Sequence, residues 1–223
     1  MNKTIKIVFF TLLGIYLFFL ILSFAGALKT FKISSISSEP NLKMNARVLS
    51  SNLVNPKVGD FIILKLNDTL TVVHRLCGRE NDKVEIKDGI LYVNDKNADE
   101  KLSLMHRYKM PSKKFEDNQV YSKIPSHIMM QMEDNDTVYA FISDQIAKEL
   151  HLESSRIIAQ KGEADKYIQK TYHNDWNKDN FGPLTIPKGK VFVLGDNRDN
   201  VEDSRYTGLI DQSKITGTII YNP

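Results

Sequence analysis

One stretch near the amino terminus constrains the fold more than any other feature of the chain. From Ile7 to Leu28 the sequence has no charged residue and is rich in Phe, Leu and Ile. A helix of this length, rising about 1.5 Å per residue, is long enough to cross about 30 Å of hydrocarbon. We therefore predict a transmembrane anchor over residues 7–28, preceded by a short cytoplasmic segment, residues 1–6.

A cleavable signal peptide is the alternative interpretation of this stretch. Lys3 and Lys6 would form its basic start, and Ala25-Gly26-Ala27 has the small residues that are typical of a cleavage site. The apolar run is longer than the roughly 7–15 residues usual in such peptides, which favours a retained anchor. Lysines flank the run on both sides and favour a cytoplasmic amino terminus only slightly.

The composition excludes several classes of protein. With 223 residues, of which 42% are apolar and 26% charged, the chain is not typical of disordered, collagen-like or coiled-coil proteins. Its formal net charge of +3 is too small to indicate a nucleic-acid partner. The single cysteine, Cys77, excludes an internal disulfide framework and a CxxC zinc site. No histidine has zinc-ligand spacing, so we expect neither a metal nor another cofactor.

After Lys29 the chain is dominated by short apolar runs that are typical of β-strands. Asp88-Gly89 separates two of these runs and predicts a tight hairpin, because both residues tolerate a positive φ. We predict strands at residues 47–49, 61–64, 69–76, 84–86, 90–93, 190–194 and 214–221. The predicted fold class is mainly β, with an antiparallel β body formed by residues 29–96 and 181–223.

The segment 97–180 has a different character. It is more polar, and its patterns predict helices over Thr137 to Leu150 and over Glu163 to Tyr172. We interpret it as a mixed α/β insertion that caps the β body. No second long apolar run follows it, so the chain is predicted to cross a membrane once.

Three clusters of reactive or charged residues have ordinary explanations when each is taken alone. Four serines at positions 34, 35, 37 and 38 could belong to a linker beside the membrane, and His74 could be a structural histidine of a strand. The segment from Gly195 to Arg205 could be a charged turn held by its own ion pairs. A serine becomes a nucleophile only when a base lies within hydrogen-bonding reach.

Taken together and in this order, the three clusters resemble the type I signal peptidases, membrane-bound serine proteases that remove signal peptides from exported proteins. Ser35, Ser37, Pro40 and Leu42 match the family pattern S-x-S-M-x-P-x-L that follows the anchor. Residues 73–82 resemble its K-R-x-x-G-x-x-G-D box, and residues 195–205, GDNRDNVEDSR, resemble its most specific motif. The resemblance covers nearly the whole chain except the insertion.

The resemblance implies a role for each matching residue. Ser37 would be the nucleophile, and the Ser35 hydroxyl and the Ser37 backbone N–H would stabilise the oxyanion. Small residues at positions −1 and −3 of the substrate would enter shallow apolar pockets. By resemblance these pockets would be lined by five residues: Phe31, Ile33, Leu42, Val72 and Val73.

Three positions depart from the bacterial family pattern. Ser38 replaces a Met, His74 replaces the catalytic Lys, and Val201 replaces a Ser of the last motif. A histidine here resembles the endoplasmic-reticulum and archaeal signal peptidases and some Gram-positive relatives, which use a Ser–His pair. Imidazole is the easier base, since its ordinary pKa is about 6.5 against about 10.4 for lysine.

A carboxylate that orients the His74 ring would complete such a site. Asp203 is the favoured candidate, and Asp196 is the alternative. The resemblance also leaves Asp196, together with Arg198 and Arg205, a structural role as an ion-pair network that supports the site.

The expected function is therefore that of a signal peptidase I with a Ser37, His74 and Asp203 site. Expected partners are exported preproteins, the lipid bilayer and the secretion translocon. The expected location is the cytoplasmic membrane, with the catalytic body on the extracytoplasmic side. Two alternatives stay open: a homologue that binds signal peptides without cutting them, and a specialised protease with few substrates.

Overall fold

The structure is a computed structural model that describes residues 2–116, 130–134 and 136–222 of the chain. It begins with a long apolar helix, α1, over Lys3–Phe24, none of whose residues is buried against the rest of the protein. By length and composition α1 is able to cross a membrane. It ends before Leu28, the end of the uncharged stretch, because Gly26 has a left-handed φ of 73°. Asn52 Nδ2 donates to the Ala25 carbonyl at 3.0 Å and joins this end of the helix to the body.

The body is built from antiparallel strands, as the sequence predicted. In chain order the strands are β1 (Lys29–Lys32), β2 (Arg47–Ser51), β3 (Phe61–Lys65), β4 (Thr71–Gly78), β5 (Lys83–Lys87), β6 (Ile90–Val93), β7 (Lys96–Asn97), β8 (Met105–Pro111), β9 (Met130–Asp134), β10 (Thr137–Ser143), β11 (Phe181–Thr185), β12 (Lys190–Leu194), β13 (Ile210–Asp211) and β14 (Ile215–Tyr221). The largest sheet has the order β1-β2-β14-β3-β4-β12-β13. Every pairing between these neighbours is antiparallel, which confirms the predicted fold class.

A smaller sheet, β11-β5-β6-β7, contains the predicted hairpin. Asp88 and Gly89 connect β5 to β6 with φ values of 49° and 75°, the left-handed conformation that an Asp-Gly turn allows. Its apolar face is closed by buried side chains from several elements, among them Ile86, Phe181 and Phe192. The hairpin is therefore joined to the main sheet through a shared core.

The insertion forms a third sheet, β8-β10-β9, with its own apolar core. The prediction of a helix over Thr137–Leu150 is wrong for its first half, because Thr137–Ser143 is strand β10 between β8 and β9. Burial alternates along it, with Val138, Ala140 and Ile142 inside, which suits a strand in the middle of a sheet. The helix begins only after Ser143, whose Oγ accepts from the Ile146 N–H at 3.3 Å.

The helices of the insertion are short. Among the described residues they are α2 (Ser112–Glu116), α3 (Asp144–Glu149) and α4 (Lys166–Tyr172); a further helix, α5 (Ser204–Thr207), lies in the carboxyl-terminal motif. Helix α4 falls within the predicted helical stretch, and its Ile168 packs in the core of the β5–β6 hairpin.

Candidate active site

The loop between β1 and β2 carries both of the predicted active-site serines. Ser35 is exposed and Ser37 half-buried, and their Oγ atoms share a hydrogen bond of 2.8 Å. Both line an open cleft of about 630 Å³. His74 lines the same cleft from β4, so the structure brings the predicted nucleophile, oxyanion donor and base to one surface.

His74 is held in the middle of the main sheet and is only 4% exposed. In β4 it lies opposite Ile62 of β3. Burial lowers the pKa of the ring below its ordinary 6.5, against the opposing effects of the Asp203 charge and the Glu202 main-chain carbonyl. The imidazole is therefore neutral near pH 7, which is the form that a general base requires.

The Nδ1 atom of His74 is buried and has no hydrogen-bond partner within the part of the chain that the structure describes. No hydrogen bond among the described residues joins the ring to Ser37 or to Asp203, and its hydrogen-bonding neighbour is the Glu202 main-chain carbonyl. Catalytic hydrogen bonds often form only when substrate is bound. Ser37 and His74 thus line one cleft, with no hydrogen bond between them among the described residues.

Asp203 is fully engaged by its own neighbours. Its Oδ1 accepts from Arg205 Nε at 2.9 Å, and its Oδ2 accepts from Arg205 Nη2 at 2.9 Å and from the Gly195 N–H at 3.2 Å. It also caps α5 by accepting from the Arg205 N–H. Both side chains are buried, and the charge of Asp203 acts on His74 through space.

Asp196, the alternative acid, is paired with Arg75. Arg75 Nε and Nη2 donate to its two oxygens at 2.8 and 2.5 Å, and Asn41 Nδ2 donates at 2.7 Å. Since Arg75 follows His74 in β4 and Asn41 lies in the same loop as Ser37, this carboxylate joins the two elements that carry the reactive groups. Its charge also raises the pKa of Arg75, against the effect of burial.

Arg198 connects the last motif to the insertion. Its guanidinium donates to both oxygens of Asp99 at 2.9 and 2.6 Å and to the Gly195 carbonyl at 3.2 Å. The first residue of β8, Met105, adds two backbone hydrogen bonds to the same motif, one to the Asp196 carbonyl and one from the Arg198 N–H, each of 2.9 Å. Through these contacts the insertion supports the segment from Gly195 to Arg205, which lies against the loop of Ser37.

The five apolar residues predicted to bind substrate lie in two different places. Val72 lines the cleft with Leu66 and Leu70. The other four pack together in an apolar cluster of the body: Phe31, Ile33, Leu42 and Val73. Val72 and Val73 separate in this way because successive side chains of a strand point to opposite faces of the sheet. Their contact with substrate stays a prediction.

No group of three or more His, Cys, Asp and Glu side chains among residues 2–116, 130–134 and 136–222 is arranged to hold a metal ion. The groups that can do chemistry in the cleft include the hydroxyls of Ser35 and Ser37, the imidazole of His74 and the carboxylates of Asp199 and Glu202. Such a set is suited to acyl transfer through a serine.

Comparison with known proteins decides the family. A family model described as signal peptidase, peptidase S26, matches residues 2–221. The chain belongs to this family. The matching family model and the relatives carry signal peptidase names, and this is the family that the motifs resemble.

The relatives are distant in sequence. Signal peptidase I of Buchnera aphidicola is 28% identical over 183 residues, which cover 74% of this chain and 54% of that protein, so the chain spans about half of its length. Signal peptidase IB of Staphylococcus aureus is 27% identical over 197 residues, covering 86% of this chain and 75% of that protein. A crystal structure of a signal peptidase I from Enterococcus faecalis aligns with 74% of this chain and 97% of that one, at 21% identity and a TM-score of 0.36.

Two residues of this signal peptidase-family site were missed as functional positions in the sequence. Asn197 holds the nucleophile loop, since its N–H donates to the Ser37 carbonyl at 3.0 Å and its Nδ2 to the Ile36 carbonyl at 3.3 Å. Ser38 donates from Oγ to the Val73 carbonyl at 2.9 Å and fastens the loop to the strand of His74. Both residues lie within the matched motifs, so the sequence could have drawn attention to them. Their hydrogen-bond partners are backbone carbonyls that only the folded structure brings close.

Gly195 explains how closely the last motif approaches the nucleophile. A Cβ atom at this position would come within 2.6 Å of the Ser37 carbonyl oxygen and 2.7 Å of Val201 Cγ2. Such contacts are too short for any side chain, so glycine is required for the backbone of the motif to lie against the loop.

We expect Asn197→Ala to lower kcat/KM about 10-fold. The substitution removes the hydrogen bond to Ile36, worth about 1–1.5 kcal/mol, and loosens the loop without touching Ser37 itself. Asn174→Ala is the matched control, because Asn174 makes a similar side-chain bond to the Tyr172 carbonyl away from the cleft. Steady-state cleavage kinetics check the prediction, and equal kcat/KM values for both variants would contradict it.

Proposed function

We propose that the chain is a membrane-anchored signal peptidase I that cleaves signal peptides from exported preproteins after small residues at −1 and −3. The observation that carries this proposal is the shared cleft, in which the Ser35–Ser37 hydroxyl pair and the buried neutral His74 meet in a chain of the peptidase S26 family.

In the proposed reaction Ser37 Oγ attacks the scissile carbonyl carbon while His74 accepts the hydroxyl proton. The oxyanion accepts hydrogen bonds from the Ser35 hydroxyl, once that hydroxyl has turned from Ser37, and from the Ser37 N–H. Collapse of the intermediate breaks the peptide bond, and His74 gives its proton to the leaving amine. Water then hydrolyses the acyl-enzyme with His74 again as base, which releases the signal peptide and regenerates Ser37.

Asp203 has a positioning role in this proposal. Its charge stabilises the imidazolium of His74 through space, while Arg205 and the Gly195 N–H hold the carboxylate in place. Asp196, Arg198 and Arg205 support the loop and the last motif through the contacts described above.

The main sheet offers a place for the substrate backbone. Strand β4 has β3 on one side, paired from Thr71 to Arg75, and β12 on the other side, paired only from Arg75 to Gly78. Within the described residues, the side of β4 that faces β12 therefore has no pairing strand from Thr71 to His74. We propose that the signal peptide adds there as an extended strand, next to Val72 and the serine loop.

The anchor places the site in relation to the membrane. Helix α1 exposes its apolar surface along its length, and its end is joined to the body by Asn52. We propose that α1 stays in the bilayer and holds the cleft at the extracytoplasmic surface, where a preprotein in the translocon presents its cleavage site. Holding enzyme and substrate in one plane supplies proximity.

A panel of preproteins tests the proposed substrate class. Full-length protein in detergent micelles is expected to cut several unrelated preproteins after a small residue, and to lose this activity on replacement of the −1 residue by Phe. Mass spectrometry of the new amino termini locates the cut. Cleavage of one preprotein only would instead indicate a specialised protease, and binding without cleavage would indicate a non-catalytic homologue.

The pH profile tests the identity of the base. Because burial lowers the pKa of His74 and only its neutral form accepts a proton, kcat/KM should stay high as pH falls to 6.5 and decline only below it. Initial rates between pH 5 and 10 on one peptide check this expectation. A rate that still climbs steeply above pH 9 would assign the base to a lysine instead.

A further inference from the structure

A second cavity, of about 580 Å³, continues the active-site cleft. Val201, Glu202 and Thr207 line both cavities, so the second cavity adjoins the cleft of Ser37 and His74 at these residues, and we treat the two together as one groove. The second cavity lies beyond these shared residues and is completed by side chains from the start of α4 and from α5.

The two ends of this groove differ in chemistry. At the β3–β4 end the wall is apolar, with Leu66, Leu70 and Val72. At the other end the wall holds two carboxylates, Asp165 and Glu202, and two tyrosine rings, Tyr167 and Tyr206. The apolar end suits a signal peptide, and the polar end suits the hydrated chain on the other side of the cleaved bond.

The residues of the polar end are fixed by local structure. Asp165 caps α4, where its Oδ1 accepts from the N–H groups of Tyr167 and Ile168 at 2.8 and 3.2 Å. Burial, together with the charges of Asp203 and Asp165 and against that of Arg205, raises the pKa of Tyr206 to about 12, and the Arg205 guanidinium lies 5.6 Å from the centroid of this ring. Asp165, Tyr167 and Tyr206 line the same cavity and form one wall of it.

This wall is suited to a cation. Tyr167 is 60% exposed, and the ammonium of Lys166 lies 4.9 Å from the centroid of its ring, so an incoming cation takes the place of Lys166 on this ring. Glu202 is exposed beside the cleft and makes no side-chain hydrogen bond or ion pair among the described residues. An incoming Lys or Arg could contact Glu202 and Asp165 and stack on the tyrosines.

We propose that this end of the groove binds the first residues of the mature polypeptide and favours lysine or arginine there over an acidic residue. The inference rests on the proposed function, since it deepens the specificity of the same site. The occupant is the part of the preprotein that follows the cleavage site, because the cavity is continuous with the cleft that holds Ser37.

Matched peptides test the proposal. They share one signal-peptide sequence and carry Lys, Gln or Glu at each of the first five mature positions in turn. At one of these positions or more, full-length protein should cut the Lys peptide with a kcat/KM about 10-fold above the Glu peptide. Glu202→Lys should abolish or invert this ratio, whereas Glu100→Lys, which changes an exposed carboxylate outside both cavities, should keep it.

A binding measurement distinguishes failure of the proposed charge preference from failure of the proposed peptidase activity. Fluorescence anisotropy of the same peptides with the Ser37→Ala variant should show the same preference for Lys. Equal cleavage of all three peptides would overturn the charge-selective groove and leave the peptidase standing. Binding with the preference but without cleavage by the wild type would support the groove and contradict the peptidase.

Discussion

Replacement of His74 by alanine is expected to lower kcat by about 10³-fold or more while the protein stays folded. General-base catalysis by a positioned side chain contributes roughly 10²–10⁴-fold, and this ring is the buried base that lines the cleft with Ser37. Because the ring is buried and lies against the Glu202 main-chain carbonyl, its removal also leaves a cavity, so circular dichroism of the variant accompanies the rate measurement. Single-turnover cleavage at saturating enzyme measures the effect on the chemical step.

The matched control for this variant is His106→Gln. His106 is also buried, and burial also lowers its pKa, but its Nδ1 pairs with Asp144 in the insertion at 2.7 Å. The control is expected to destabilise the protein while its kcat per folded molecule changes less than about threefold. Near-normal turnover of His74→Ala, or an equal loss in both variants, would remove His74 from the mechanism.

The second large effect is expected on stability, from Arg205→Met. Arg205 and Asp203 form a buried ion pair, with side chains 2% and 0% exposed. Removing the cation leaves the carboxylate uncompensated in the interior, which costs about 3–5 kcal/mol of unfolding free energy. Thermal and urea unfolding of the full-length protein in detergent measure this change.

Two further variants make the stability result specific. Arg205→Met combined with Asp203→Leu should recover much of the loss, because neither buried charge then remains. Lys190→Met breaks an exposed pair with Asp211 and should change the Tm little. A single Arg205→Met variant as stable as Lys190→Met would show that the buried pair does not support the fold.

Much of the fold followed from patterns that act over short distances. The uncharged stretch predicted α1, and Asp88-Gly89 predicted the β5–β6 hairpin, since both depend on local sequence. The prediction of a helix over Thr137–Ser143 is wrong although the segment is rich in the β-forming residues Thr, Val, Tyr, Phe and Ile, and it pairs with β8 and β9. Here the local propensity agrees with the strand, and the helical pattern continues only after Ser143.

In the candidate site, too, the motifs predict which residues are present but not which groups they contact. The motifs predict Ser35, Ser37 and His74 as site residues, and the structure places all three in the lining of one cleft. The hydrogen-bond partner of each polar residue could not be predicted from the motifs. Asp203 is engaged by Arg205, and Asn197 reaches back to the nucleophile loop, because contacts between residues far apart in sequence depend on the folded topology.

The most direct test of the central claim is cleavage of one full-length preprotein by the wild type, Ser37→Ala and His74→Ala, measured side by side. The account predicts a cut after a small residue by the wild type, no detectable cut by Ser37→Ala, and a residual rate at least about 10³-fold lower for His74→Ala. Circular dichroism of the three proteins should show equal folding. A cut by Ser37→Ala at the wild-type rate and position would contradict the assignment of the nucleophile.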